Sequence, residues 1–126
     1  MLVQQRTIKQ PISMSGVGLH TGSITTMTFK PAPENYGIRF RRVDLGGSPE
    51  VPADVDHVVD VSRGTTIAIG DARVHTVEHV MAALVGLQID NCIIELDAQE
   101  PPVGDGSAKP YVDCLMKAGF EIQDAP

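Results

Sequence analysis

Two adjacent residues, Glu78 and His79, have side chains that could carry out hydrolytic chemistry together. An imidazole is a common zinc ligand, and a neighbouring carboxylate can act as a general base. Around the pair, apolar side chains recur with the i, i+3, i+4, i+7 spacing of one buried helical stripe. That stripe comprises Val77, Val80, Met81 and Leu84. The pattern predicts a helix over about residues 76–87 that buries one face and presents Glu78 and His79 elsewhere.

The pair alone does not establish a metal site, because most Glu-His pairs on helices are solvated surface residues. One His is present at this turn, so the motif is not the His-Glu-x-x-His of zinc proteases. His75 precedes His79 by four residues, which would place both imidazoles on one helical face, but His75 falls at or before the predicted helix start. Ala82, Ala83 and Gly86 lie on the side of His79 and leave room for another backbone or a ligand.

Two further segments contain residues of interest. Residues 16–22 place three glycines around Leu19 and His20, which is typical of a tight loop near a ligand or of an ordinary hairpin connection. Residues 105–112 begin with Asp105 beside a glycine, where an Asp is expected to order the turn.

Three segments in this order resemble the amino-terminal half of the UDP-3-O-acyl-N-acetylglucosamine deacetylase family, the zinc amidases of lipid A (lipopolysaccharide) biosynthesis. They are residues 16–22 (GVGLHTG), 76–84 (TVEHVMAAL) and 105–112 (DGSAKPYV). The similarity runs from about residue 5 to about residue 120. The resemblance implies a bacterial, metal-dependent hydrolase that removes the N-acetyl group of a UDP-sugar acyl substrate and releases acetate.

The resemblance also implies the roles of individual residues. His79 would be a ligand of Zn²⁺, and Glu78 would be the catalytic base that takes the proton from the attacking water. His20 would support substrate binding or charge stabilisation, and Leu19 would contact the acyl chain. The alternative for His20 is a hydrogen bond that fixes its loop. No role is predicted for His57 or His75.

The family's other zinc ligands lie in its carboxyl-terminal half, which these 126 residues do not include. We therefore expect residues 1–126 to form a single domain, the amino-terminal half of a two-domain deacetylase. Alone, it should bind zinc weakly, turn over no substrate, and be able to self-associate through the side carrying Ala82, Ala83 and Gly86. A non-catalytic binding or scaffolding module of the same fold is the alternative. A kinase-type phosphate site is disfavoured because no P-loop lysine follows the glycines.

Composition restricts the setting. The net charge of −6 argues against nucleic acid or an anionic membrane as a partner. The basic segment 39–42 is the exception, and its alternation favours a solvated strand face over an anion site. There is no run of 18 apolar residues, hence no transmembrane segment, and the first six residues do not form a signal peptide. Two cysteines are too few for a disulfide framework, so we expect a cytoplasmic protein.

The periodicity predicts several strands, a helix, a strand and a second helix. Strands are expected at about 4–8, 23–30, 38–43, 58–61, 65–69 and 91–97, with a loop over 44–52. The second helix should be capped by Ser107, bury Val112, Leu115 and Met116, and end at Gly119. The fold class is α+β: a two-layer sandwich in which two helices pack on one face of an antiparallel or mixed sheet of about five strands.

Overall fold

The computed structural model describes residues 3–126, so residues 1 and 2, part of the segment in which no signal peptide is predicted, lie outside it. Ten strands and two helices occur in the described range. The strands are β1 (Arg6–Ile8), β2 (Ile12–Val17), β3 (Ile24–Pro31), β4 (Ile38–Arg42), β5 (Glu50–Pro52), β6 (Val58–Asp60), β7 (Thr66–Ile69), β8 (Ala72–Val74), β9 (Cys92–Leu96) and β10 (Phe120–Ile122). The helices are α1 (Glu78–Gly86) and α2 (Lys109–Ala118), and a 3-10 turn covers Val55–His57.

The main sheet has five strands in the order β2-β3-β9-β4-β5. Only the pairing of β4 with β9 is parallel, and the other pairs are antiparallel. This mixed sheet and the two helices confirm the predicted α+β class. The predicted loop over 44–52 is wrong at its end, because Val51 of β5 pairs with Phe40 of β4.

Two smaller sheets complete the fold. Strands β6, β7 and β8 form a three-stranded antiparallel sheet, of which the sequence predicted the first two strands. Strands β1 and β10 pair near the two ends of the described chain, with Arg6 opposite Ile122. The three-stranded sheet leads directly into α1 and so positions the start of that helix.

One face of the main sheet forms the core, as the alternation of residues along each strand requires. Met27 and Phe29 of β3 and Ile94 and Leu96 of β9 are fully buried on this face. Both helices contribute buried side chains to the same core. The opposite face carries Arg41, whose guanidinium pairs with carboxylates on the neighbouring strands.

The arginines of the basic segment 39–42 make more contacts within the protein than the sequence predicted. Arg41 is partly buried and paired with Glu50 and Glu95 instead of being freely solvated. Arg42 is almost completely buried, where it binds both carboxylate oxygens of Asp44 and the carbonyl oxygen of Arg73. Arg39, the third arginine, lies 3.7 Å from the same Glu50. All three arginines therefore face carboxylates, which argues against an anion site.

Helix α1 confirms the predicted stripe, since Val77, Val80 and Leu84 are buried and Met81 is partly buried against the core. Two details differ. The helix begins at Glu78 because Thr76 has a left-handed backbone (φ +56°), which a helix cannot include. Ala83 is 1% exposed and packs in the core, so it does not belong to the open side on which it was placed, whereas Ala82 is exposed.

Helix α2 also departs from its predicted stripe. Leu115 is buried as expected, but Met116 is 56% exposed, and Tyr111 takes a buried position instead. The N-cap residue is Ala108, while the Ser107 hydroxyl accepts a hydrogen bond from the backbone N–H of Lys109. Gly119 ends the helix at φ +74°, as predicted.

No helix within residues 3–126 combines the length and the apolar character needed to cross a membrane.

Candidate active site

The site is built around the start of α1. Strand β8 ends at Val74, and the left-handed turn at Thr76 redirects the chain so that Glu78 becomes the first helical residue. The backbone N–H of Val77 donates to the carbonyl oxygen of Thr65, which ties this turn to the start of β7. The start of α1 is therefore tied to the small sheet through Val77, while Val77 and Val80 pack in the core.

The Glu78 carboxylate is fixed at one oxygen and unpartnered at the other. The backbone N–H of Thr65 donates to Oε2 at 2.6 Å. Oε1 is buried and has no hydrogen-bond partner among the described residues. Buried polar atoms are nearly always paired, so an orphaned carboxylate oxygen indicates a missing partner such as water, substrate or an ion.

Gly64 forms the wall against which this carboxylate lies. A Cβ at this position would stand 3.2 Å from Oε1 of Glu78 and 3.6 Å from Oγ1 of Thr76. Gly64 also has a φ of +106°, a conformation that residues with a Cβ rarely adopt. The close approach and the backbone conformation both require glycine here.

A cavity of about 190 Å³ opens beside this wall. It is lined by His20, Thr21, Asp60, Arg63, Gly64, Thr66, His75 and Thr76. Hydrogen bonds from the backbone N–H and hydroxyl of Ser62 hold the pKa of Asp60 below its usual value. The cavity thus brings an aspartate, an arginine and two imidazoles together next to the start of α1.

His20 reaches this cavity from the glycine loop that follows β2. Its Nδ1 atom lies 3.1 Å from Oγ1 of Thr76 and 3.3 Å from Oε2 of Glu100. These contacts are what the alternative role, fixing the loop, requires. The predicted role of His20 in substrate binding or charge stabilisation stays a prediction. Leu19, the predicted acyl-chain contact, is 55% exposed beside it and does not line the cavity.

The other two histidines, His75 and His57, are engaged in contacts with neighbouring side chains. His75 accepts or donates at both ring nitrogens, toward Thr66 and Gln99, and it precedes the helix, so it does not share a helical face with His79. His57 pairs with Asp54 and does not line the cavity that contains His20.

Asp105 orders its glycine loop, as predicted. Its carboxylate accepts hydrogen bonds from the backbone N–H and from the hydroxyl of Ser107. Both bonds lower the pKa of Asp105. Asp105 therefore stabilises the loop that leads into α2.

Sequence reasoning missed Glu100, which is completely buried behind His20. It lies in the segment between β9 and α2, where no helix or strand was predicted. Its hydrogen-bond partners lie 24 to 80 residues away along the chain, so no local spacing could reveal it. A glutamate directly before Pro101 and Pro102 was the only available signal, and it is a weak one.

The donor set fits part of a zinc site. His79 offers an imidazole beside a carboxylate that has a buried, unpartnered oxygen, the combination expected for a metal ligand and its neighbouring base. No group of three His, Cys, Asp or Glu residues within 3–126 is arranged to hold a metal ion. A catalytic zinc usually has three ligands from protein, and the role of His79 as one of them stays a prediction.

Nearly the whole chain is similar to known deacetylases. The family model described as LpxC, UDP-3-O-acyl N-acetylglycosamine deacetylase, matches residues 5–126. A bifunctional enzyme LpxC/FabZ of Chlorobaculum tepidum is 60% identical over 126 residues, which is 100% of this chain and 27% of that relative. A UDP-3-O-acyl-N-acetylglucosamine deacetylase of Stenotrophomonas maltophilia is 51% identical over 125 residues, 99% of this chain and 41% of the relative. The chain thus spans well under half the length of these relatives.

Proposed function

This chain belongs to the UDP-3-O-acyl N-acetylglycosamine deacetylase family, and on that premise we propose that it supplies part of the active site of a zinc-dependent deacetylase. The reaction is hydrolysis of the N-acetyl group of UDP-3-O-acyl-N-acetylglucosamine, with release of acetate, in lipid A biosynthesis. The relatives named above, among them a UDP-3-O-acyl-N-acetylglucosamine deacetylase, support the reaction class.

The observation that carries this proposal is the state of Glu78. One of its oxygens is anchored by the backbone N–H of Thr65, while the other is buried without a partner. A carboxylate with one anchored and one unpartnered oxygen is suited to accept a proton from a molecule that enters the site. Because His79 follows directly in the first turn of α1, base and ligand are held by the same helix start.

In this proposal His79 is the one zinc ligand that these residues provide. The bound ion would polarise the acetyl carbonyl and make water more acidic at neutral pH. Its remaining ligands would come from a second domain outside these 126 residues. The greater length of the relatives and the lack of a three-ligand group within residues 3–126 support that division.

Glu78 then acts on the water that attacks the acetyl carbon. Oε1 accepts one proton as the C–O bond forms. When the C–N bond breaks, Glu78 returns that proton to the leaving amine, which regenerates the carboxylate. The products are acetate and the free amino sugar. The bond from Thr65 holds the carboxylate in one orientation throughout, which limits the reorganisation that the reaction requires.

His20 and Leu19 are proposed to contact the substrate. His20 lines the cavity beside the start of α1, and Leu19 is exposed in the same loop. An exposed apolar side chain next to a polar cavity suits a substrate that joins a sugar to an acyl chain. We also propose a cytoplasmic location, which the two free cysteines support because disulfides are rare in reducing compartments.

The test uses the full-length protein and measures bound zinc by elemental analysis together with acetate release. His79→Ala should lose both zinc and activity. Glu78→Gln should keep zinc and lose activity by about 10²–10⁴-fold, the usual contribution of a general base. His57→Ala, which changes an imidazole outside the cavity, is the matched control and should keep both.

A different result would favour a non-catalytic module. Unchanged zinc content in His79→Ala would remove His79 from the metal site. Full activity in Glu78→Gln would remove the proposed base and would leave the pair as part of an interface between domains.

A further inference from the structure

Glu100 is a completely buried carboxylate with a role in neither the proposed zinc site nor the proposed proton transfer. Its Oε1 atom accepts hydrogen bonds from the backbone N–H groups of His20 and Thr21 and from the Thr21 hydroxyl. Its Oε2 atom accepts from the Thr76 hydroxyl at 2.5 Å. Glu100 thus joins the glycine loop to the turn that precedes α1.

The carboxylate is ionised despite its burial. Burial alone opposes the charge, but the donors from Thr21, Thr76 and His20 together outweigh it and hold the pKa of Glu100 below its usual value. Within residues 3–126, no lysine or arginine lies within salt-bridge distance of it, and its one such contact is with His20. The negative charge is therefore stabilised mainly by directed hydrogen bonds.

The directions of these bonds determine the protonation of the His20 ring. Thr76 has a single hydroxyl proton, which goes to Oε2 of Glu100. Its Oγ1 atom can then only accept from Nδ1 of His20, which lies 3.1 Å away. The other neighbour of Nδ1 is Oε2 of Glu100 at 3.3 Å, and an ionised carboxylate also only accepts. Nδ1 must therefore carry the proton.

We propose that Glu100 is a positioning residue that, together with Thr76, fixes His20 as the Nδ1–H tautomer and leaves Nε2 to act on the substrate. The identity of that substrate rests on the function proposed above, but the tautomer does not. In a neutral ring with its proton on Nδ1, Nε2 is a hydrogen-bond acceptor. It can receive a hydroxyl or amide proton from a sugar bound in the cavity.

The glycine loop is built to accommodate this carboxylate. A Cβ on Gly18 would lie 2.5 Å from Oε1 of Glu100 and 2.7 Å from Oγ1 of Thr21. Those distances are far below van der Waals contact, so only glycine fits where the two backbone donors converge. The loop sequence and the buried carboxylate therefore depend on each other.

For the substitution Glu100→Gln a specific outcome can be predicted, because the surrounding donors determine the orientation of the new amide group. Two backbone N–H groups point at the Oε1 position, so the amide oxygen must stay there and the NH₂ group must face Thr76 and His20. The amide then donates to Oγ1 of Thr76, which frees the Thr76 hydroxyl to donate to Nδ1. We expect His20 to change to the Nε2–H tautomer.

The experiment is long-range ¹H–¹⁵N NMR of the full-length protein labelled with ¹⁵N-histidine, at about pH 8.5, where an unperturbed imidazole is neutral. The His20 signals are assigned by their loss in His20→Gln. Wild-type protein should show Nδ1–H, and Glu100→Gln should show Nε2–H. Thr76→Ser keeps the hydroxyl and should resemble the wild type, as should Glu95→Gln, a carboxylate change on the far face of the sheet.

Kinetics provide a second readout on the same proteins. Glu100→Gln should lower kcat/KM about tenfold or more. The double variant Glu100→Gln/His20→Gln should lose no more than His20→Gln alone, because residues that act through one another are not additive. Additive losses would assign Glu100 a general structural role and overturn the proposal.

The two readouts separate the possible failures. An Nε2–H tautomer in the wild-type protein overturns the proposal even if the glutamine variant does not fold. An unchanged Nδ1–H tautomer in folded Glu100→Gln also overturns it. Wild-type protein with the expected tautomer but without deacetylase activity would contradict the proposed function and leave the role of Glu100 in place.

Discussion

Gly64 lies so close to Glu78 that a side chain at position 64 would displace the Glu78 carboxylate. A Cβ at position 64 would stand 3.2 Å from Oε1 and 3.4 Å from Oε2 of Glu78. The next residue, Thr65, donates its backbone N–H to Oε2. The connection between β6 and β7 therefore both binds the carboxylate and limits where it can lie.

Gly64→Ala should impair the reaction more than the fold. The new methyl group would push Glu78 away from its anchored position, and small misplacements of catalytic groups are costly. We expect kcat of the full-length enzyme to fall at least ~10-fold, with zinc content unchanged. Steady-state kinetics and elemental analysis on the same preparation would measure both.

Gly47→Ala is the matched control for backbone strain. Gly47 also has a positive φ, but a Cβ there would meet nothing within 4 Å. Each alanine should cost on the order of 1 kcal/mol in unfolding free energy through backbone strain alone. Equal losses of kcat in the two variants would show that strain, and not the contact with Glu78, is responsible.

The sequence was most informative in the longer segments, where apolar residues recur several times with a regular spacing. Val77, Val80 and Leu84 established both the presence of α1 and its buried face, and the alternation through Met27 and Phe29 did the same for β3. Strands β5 and β8 were missed because each is three residues long and lies directly after glycine-containing turn segments, 46–49 and 70–71, which favour a loop. Their formation depends on pairing with strands that are already in place.

The candidate site was predictable only in its local part. Glu78 and His79 are neighbours in sequence, so their proximity needed no fold. The left-handed turn at Thr76 is stabilised by contacts with Glu100, 24 residues away, and Glu100 binds the His20 loop 80 residues away. Contacts between such distant residues leave no pattern in a single sequence.

Arg42→Gln should lower the free energy of unfolding and make it less sensitive to acidic pH. The buried guanidinium binds both oxygens of Asp44 and the carbonyl oxygen of Arg73. We expect a loss of about 2–3 kcal/mol at neutral pH, less than for a fully buried pair because Asp44 is partly exposed. Urea denaturation at about pH 7 would measure the loss.

The acid dependence follows from the same pair. Hydrogen bonds from Arg42 hold the pKa of Asp44 below its usual value. A lowered pKa stabilises the folded state above the unfolded pKa of about 3.9, and this contribution is lost as the pH falls through the folded pKa. As the pH falls below about 4, Arg42→Gln should therefore lose less stability than the wild type. Lys109→Gln, which breaks a fully exposed pair, should follow the wild-type curve.

Leu84→Ala should destabilise the protein through a cavity in the core. Leu84 is completely buried on the inner face of α1, the helix that carries Glu78 and His79. Removing a buried leucine side chain typically costs about 2–5 kcal/mol, whereas the volume-conserving Leu84→Met should cost less than about 1.5 kcal/mol. Denaturant titrations of both variants would test this, and equal losses would show that volume at this position does not matter.

The two thiols should differ strongly in reactivity. Burial raises the pKa of Cys92 to about 12, so that at pH 8 only about one molecule in ten thousand would carry the reactive thiolate. Cys114 is only half-buried, and its pKa is raised less. Alkylation of the folded protein, followed by peptide mass mapping, should label Cys114 first and Cys92 only after denaturant is added. Equal labelling rates without denaturant would mean that β9 opens readily, which its central position in the five-stranded sheet argues against.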